Sequence, residues 1–128
     1  MGVPRTWPLY SSVVKGDLAC FSFYTNGSSD PSNTTALGKQ VGTVARTSAG
    51  KFTLTLTNRF PAIVGVFPAV GTAADDVDLY PQADLSGYAA SGTIIVKLKT
   101  GATNTDLAAG TNNMVSLLVL FGQSGLSV

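Results

Sequence analysis

Histidine and glutamate are both absent from this 128-residue chain, and cysteine occurs once. Without histidine there is no imidazole general base, no Ser–His triad and no histidine-ligated metal. A single cysteine, Cys20, excludes an intrachain disulfide and a thiolate zinc site. All seven acids are aspartates, so paired-carboxylate chemistry would have to come from Asp75, Asp76 and Asp78, the only ones close in sequence. The glycines stand singly rather than in a phosphate-cradling loop. These gaps leave no catalytic residue, no cofactor and no metal to assign. The chain reads as a non-enzyme.

Charge is also scarce. Charged residues make up 12% of the chain, about half the usual share, while hydrophobic residues make up 45%. The eight Lys and Arg are scattered and the net charge is +1, so no basic stripe marks a nucleic-acid partner. The apolar run from Met114 to Phe121 is far too short to span a membrane, and Pro4 and Pro8 interrupt an N-terminus with no apolar leader. The expectation is a chain that works without a membrane and without passing through a secretion signal. A surface this poor in charge is easier to understand if partners cover much of it.

What is plentiful is Thr, Ser, Gly and Val, which favour pleated sheet and turns over helix. Lys51 to Thr57 alternates without a break, Phe52, Leu54 and Leu56 on one side and Thr53, Thr55 and Thr57 on the other. A period of two is the mark of a strand with one buried face. Ser48-Ala49-Gly50 marks the turn before it, and Gly38 to Thr47 supplies the preceding strand. Leu18 to Thr25 reads as a two-sided strand with Phe21 and Phe23 on one face and Leu18, Cys20 and Tyr24 on the other; Cys20 is expected to be a buried, inert thiol. The turn formers from Asn26 to Asn33 predict a long exposed loop.

In Ala62 to Val70 the pattern places Ile63 and Phe67 on one side and Val64 and Val66 on the other, with Gly65 and Pro68 predicting a bulge or an edge position. Asp75, Asp76 and Asp78 make an acidic turn, solvated or able to collect a hard cation. Ile94, Val96 and Leu98 face inward from the strand Gly92 to Thr100. Gly101 to Asn113 is a second loop in which Asp106 to Ala109 could form one helical turn. Met114 to Phe121 is apolar on both faces, as in a strand inside a sandwich or against another subunit.

Seven or eight strands separated by turn signals predict an all-β fold, a single β-sandwich of jelly-roll type spanning 15–128. About 13.1 kDa folds to roughly 6,400 Å² of surface from about 19,000 Å² extended, enough burial for one core. Residues 1–14 read as an extended N-terminal arm, since Pro4 and Pro8 restrict their neighbours to extended conformations. The arm carries Val3, Trp7, Leu9 and Tyr10, which a solvated tail would not need. It either folds back on its own domain or lies across a neighbouring subunit with Trp7 and Tyr10 as anchors.

The hairpin from Val44 to Leu56, VARTSAGKFTLTL, resembles a pattern found in small trimeric β-sandwich modules of bacteriophage virions, x-V-x-R-x-x-x-G-x-[FY]-x-[VL]-x-[FL]. It is more loosely similar to the C1q-like trimeric jelly roll. In those modules the hairpin is followed by a proline-bounded strand and a closing apolar strand, and with these the close match covers about a quarter of the chain. The resemblance implies a structural virion protein, above all a capsid decoration (cement) protein on the exterior of the shell, forming a homotrimer and binding the major capsid protein. It also implies two alternatives, a receptor- or carbohydrate-binding head domain of a fibre or spike, and a tail-tube or connector component. A sugar-binding head would gather Trp7, Tyr80 and Tyr88 at one exposed end. In the decoration reading, Val3, Pro4, Trp7, Leu9 and Tyr10 contact the shell or a neighbouring subunit. Met114, Leu117, Leu118, Val119, Leu120 and Phe121 form the trimer interface or the core.

Overall fold

The computed structural model describes residues 6–10, 15–32, 41–57, 62–73, 78–110 and 112–122. In chain order the elements are β1 (Thr6–Tyr10), β2 (Lys15–Asn26), β3 (Ser29–Ser32), β4 (Val41–Ser48), β5 (Lys51–Leu56), β6 (Ala62–Gly71), β7 (Tyr80–Asp84), α1 (Tyr88–Ser91), β8 (Thr93–Thr100), β9 (Thr103–Asn104) and β10 (Met114–Gly122). Among the described residues, eight of ten strands are five residues or longer. All strand pairs are antiparallel.

Two sheets result. The first runs β1-β2-β10-β6, with β3 also on β2; the second runs β4-β5-β8-β7, with β9 also on β8. The chain crosses between them four times, at β3–β4, β5–β6, β6–β7 and β9–β10. Each sheet buries alternate residues against the other, as the period of two requires. Ala19, Phe21 and Phe23 of β2 and Val115, Leu117, Val119 and Phe121 of β10 meet Phe52, Leu54 and Leu56 of β5 and Ile94, Val96 and Leu98 of β8. Phe23 and Phe52 join the two layers directly, their ring centroids 5.1 Å apart and tilted by 56°. Burying each of these large side chains stabilises the fold by about 1.5–3 kcal/mol.

Gly50 closes the β4–β5 hairpin at φ 62 and is buried. A Cβ there would stand 2.6 Å from the backbone N and O of Thr105 and 2.7 Å from the Leu98 carbonyl oxygen, so only glycine fits. Its own carbonyl accepts the Leu98 N–H at 2.7 Å, and the Leu98 carbonyl accepts the Thr105 N–H at 2.8 Å.

Three local expectations are corrected. The turn formers after Asn26 do not make a long loop: Asn26 pairs with Ser29 across a two-residue turn, and β3 follows at once. Gly27, at φ 61, supplies the tight reversal. Asp106 to Ala109 is not helical. That stretch is stapled to neighbouring strands, the Leu107 carbonyl accepting the Gly27 N–H at 2.9 Å and the Ala108 carbonyl accepting the Thr25 hydroxyl at 3.0 Å. Such long-range partners replace the ladder a helix would have closed. In β6 the register shifts between Leu120 and Phe121 of its partner, opposite the Val64 region. That bulge turns Ile63 and Val66 toward the core and leaves Phe67 outside, so Ile63 and Phe67 do not share a face. The strand is at the sheet edge as well as bulged.

Candidate functional site

The outer faces of the two sheets differ in chemistry. On the first sheet, register places Cys20, Leu118 and Phe67 side by side across β2, β10 and β6. Leu18, Leu120 and Gly65 make the next row; Ser22, Ser116 and Ala69, then Tyr24, Met114 and Gly71, make the rows on the other side. None of these twelve positions carries a charge. Three strands and seven residues of β2 give a footprint of roughly 14 Å by 24 Å, or about 340 Å², within the range of about 300–600 Å² for a monomer's largest apolar patch, which is often functional. Phe67 is 61% exposed, which is far from the ordinary fate of phenylalanine. Val64, Phe67 and Met114, on β6 and β10, are three of the four exposed large hydrophobic residues among those described.

Cys20 stands in this patch and is exposed, which corrects the expectation of a buried thiol. The inward positions of β2 are taken by Ala19 and Phe21, so alternation forces Cys20 outward.

The second sheet presents Thr43, Thr55 and Thr93 in one row and Ala45, Thr53, Ile95 and Asp84 in the next. Lys51, Lys97 and Gln82 follow, then Lys99 opposite Tyr80. Lys97 Nζ reaches Asp84 Oδ2 at 3.3 Å. The Asp84 carboxyl is held down to about 2, first by the Ser86 backbone N–H and side chain and then by Lys97.

At one end of the sandwich Asp106 gathers three donors. Arg46 approaches it with Nε to Oδ1 at 2.9 Å and a terminal nitrogen to Oδ2 at 2.6 Å, and the Gly50 N–H donates to Oδ1 at 2.8 Å. The Arg46 guanidinium holds the Asp106 carboxyl below its usual range, with the Gly50 N–H adding to the effect; Asp106 in turn raises Arg46. Asp30 Oδ1 accepts the Arg46 backbone N–H at 2.9 Å. Arg46 is thus tied to its own fold and is not offered outward.

The residues singled out in the sequence separate as follows. Val3 and Pro4 lie outside the described residues. Trp7, Leu9 and Tyr10 belong to β1, in register with Leu18, Gly16 and Lys15 of the same chain. In β10, Leu117, Val119 and Phe121 point into the core, while Met114, Leu118 and Leu120 lie on the uncharged outer face. Asp75 and Asp76 are outside the described residues, and among those described no group of three His, Cys, Asp or Glu side chains could hold a metal. Among them, too, no helix is long and apolar enough to cross a membrane. Tyr88 is buried, its ring 6.5 Å from that of Phe121, so it offers no platform for a sugar; Tyr80 is exposed with its hydroxyl donating to the Gly101 carbonyl.

Phe67 is the residue that periodicity misassigned, and the Gly65–Pro68 interruption was the signal that the alternation would slip.

Fold and surface together define a two-sheet antiparallel sandwich with one uncharged outer face. No protein-family model, no curated protein and no solved structure matches the chain.

Proposed function

We propose that the chain is a structural assembly protein, a capsid decoration protein that works as a homotrimer on the exterior of a viral shell and binds its major capsid protein. The observation that carries this reading is the uncharged outer face of β2, β10 and β6, with the exposed Phe67 on its β6 side. If each copy of a trimer hides about 340 Å² there, shared between its two neighbours around the three-fold axis, the gross gain over the ring is up to about 25 kcal/mol, against roughly 4–15 kcal/mol for each of the two associations. Each contact alone is therefore modest, and closing the ring makes it persistent. Two further features support the reading. The chain passes repeatedly between two antiparallel sheets that share one core, an arrangement compatible with the jelly roll proposed for it. The β4–β5 hairpin is the part of the chain that resembles phage virion modules. Residues 1–14 serve as the shell or neighbour contact, with β1 anchoring them to β2.

Light scattering and sedimentation test the self-association. The expected mass is three chains, falling to one in Phe67→Ser with the fold unchanged by circular dichroism. A single-chain mass for the parent protein at high concentration refutes the trimer. Imaging shells mixed with the full chain, or with a chain lacking residues 1–5 so that β1 is spared, tests the shell contact. Density on the shell that disappears with the truncation is the expected outcome, and a bare shell with the full chain rejects the assignment.

A further inference from the structure

Lys51 and Lys97 stand directly opposite one another on neighbouring strands, and Lys99 follows two residues along β8 on the same face. Like charges at opposed positions weaken a sheet, so selection for folding alone works against this pair. One carboxylate, Asp84, answers them, and it is engaged by Lys97 and Ser86. Among the described residues no salt bridge reaches Lys51 or Lys99. Three cations spaced roughly 5–8 Å apart lie within about one Debye length, so an incoming ligand meets them as a unit.

We propose that this face of β5, β8 and β7 docks a carboxylate-rich protein surface. The inference rests on the reading of the chain as an assembly component and names the chemistry of its partner. Three features favour a polypeptide over nucleic acid. The cations form a compact cluster rather than a stripe following a phosphate backbone. The neighbouring side chains are Thr53, Gln82 and Tyr80, and Tyr80 is engaged through its hydroxyl with Gly101. The surface is a pleated sheet face with short hydroxyls beside the ammonium groups, suited to a facing surface of similar flatness that accepts hydrogen bonds.

The test uses the full chain and a labelled hexaglutamate peptide, read by fluorescence anisotropy at 50 and 500 mM salt. Expected is binding that weakens steeply with salt and drops at least tenfold in the K51E/K99E double variant. In the same series Lys51→Glu alone should raise the thermal midpoint by about 1–4 °C, because an attractive pair with Lys97 replaces a repulsive one. A binding loss accompanied by a stability gain separates a docking role from damage to the fold. Equal binding by K51E/K99E overturns the proposal, as does an unchanged or lowered midpoint in Lys51→Glu. Tighter binding to duplex DNA or to phosphatidylserine vesicles than to the peptide also overturns it. Phe67→Ser keeps hexaglutamate affinity per chain. A single-chain parent protein that still binds the peptide would therefore remove the trimer and leave this face standing.

Discussion

Replacing Gly50 by alanine tests whether the β4–β5 hairpin is locked to β8 and to the segment after β9 in the way the geometry requires. Two costs add. Alanine at φ 62 pays about 1–2 kcal/mol for the left-handed conformation alone. Its Cβ would also stand 2.6–2.7 Å from three backbone atoms, on Thr105 and Leu98, where ordinary contact begins near 3.4 Å. Backbone cannot rotate away as a side chain can, so the clash must stretch the Leu98-to-Gly50 and Thr105-to-Leu98 hydrogen bonds, now 2.7 and 2.8 Å. Overpacking of that kind costs about 1–3 kcal/mol. The sum is about 2–5 kcal/mol, a large part of a typical domain's stability. Gly101 is the matched control, since it has φ 61 and nothing within 4 Å of its would-be Cβ. Gly101→Ala should therefore lose only the conformational share. Urea unfolding of both variants isolates the steric part as their difference, about 1–3 kcal/mol. Equal losses to within about 0.5 kcal/mol would refute the account of Gly50 as a packed junction.

Two other expectations follow from the same coordinates. Leu117→Ala should cost about 2–5 kcal/mol in chemical denaturation, whereas Leu118→Ala, one residue on, should leave the isolated chain close to unchanged and weaken self-association; equal destabilisation would mean the two faces of β10 are misassigned. Asp84 and Asp106 both titrate below their unfolded value of 3.8, so the folded state binds fewer protons and their stabilising effect is present above that value and lost as the pH falls through the folded values, about 2 for Asp84. Asp84→Asn combined with Asp106→Asn should flatten acid unfolding in that window, and an unaltered acid midpoint and slope would remove the two carboxylates from the account.

Much of the layer pattern was legible in the chain. Thr53, Thr55 and their buried neighbours Phe52 and Leu54, and likewise Ile94, Val96 and Leu98, fall where alternation puts them, because a period of two is set by backbone geometry alone. The Leu18–Tyr24 stretch also divides as its alternation predicts. Failures cluster where long-range contacts override local preference. Asn26 to Ser32 has the composition of a loop, yet pairing with β2 makes a strand of its second half. Asp106 to Ala109 lost its helical turn to hydrogen bonds from Arg46, Gly50, Gly27 and Thr25, residues 56 or more positions away. Phe67 was grouped with Ile63, and Val66 with Val64, because one bulge moves every later side chain of a strand. The uncharged face was foreshadowed by the low charge content, but its outline needed the pairing of β2 with β10 and of β10 with β6.

The position of β10 has a consequence for how the molecule is made. It is the last strand described, yet it lies in the middle of its sheet, between β2 and β6. Ribosomal synthesis delivers the two flanking strands well before the one that joins them, so their inner apolar residues wait unpaired while some forty to ninety positions are added. Only a chain translated through Gly122 can zip that layer shut. The same event completes the uncharged outer face, since that face spans all three strands. A nascent or prematurely ended chain is thereby denied that face by topology alone.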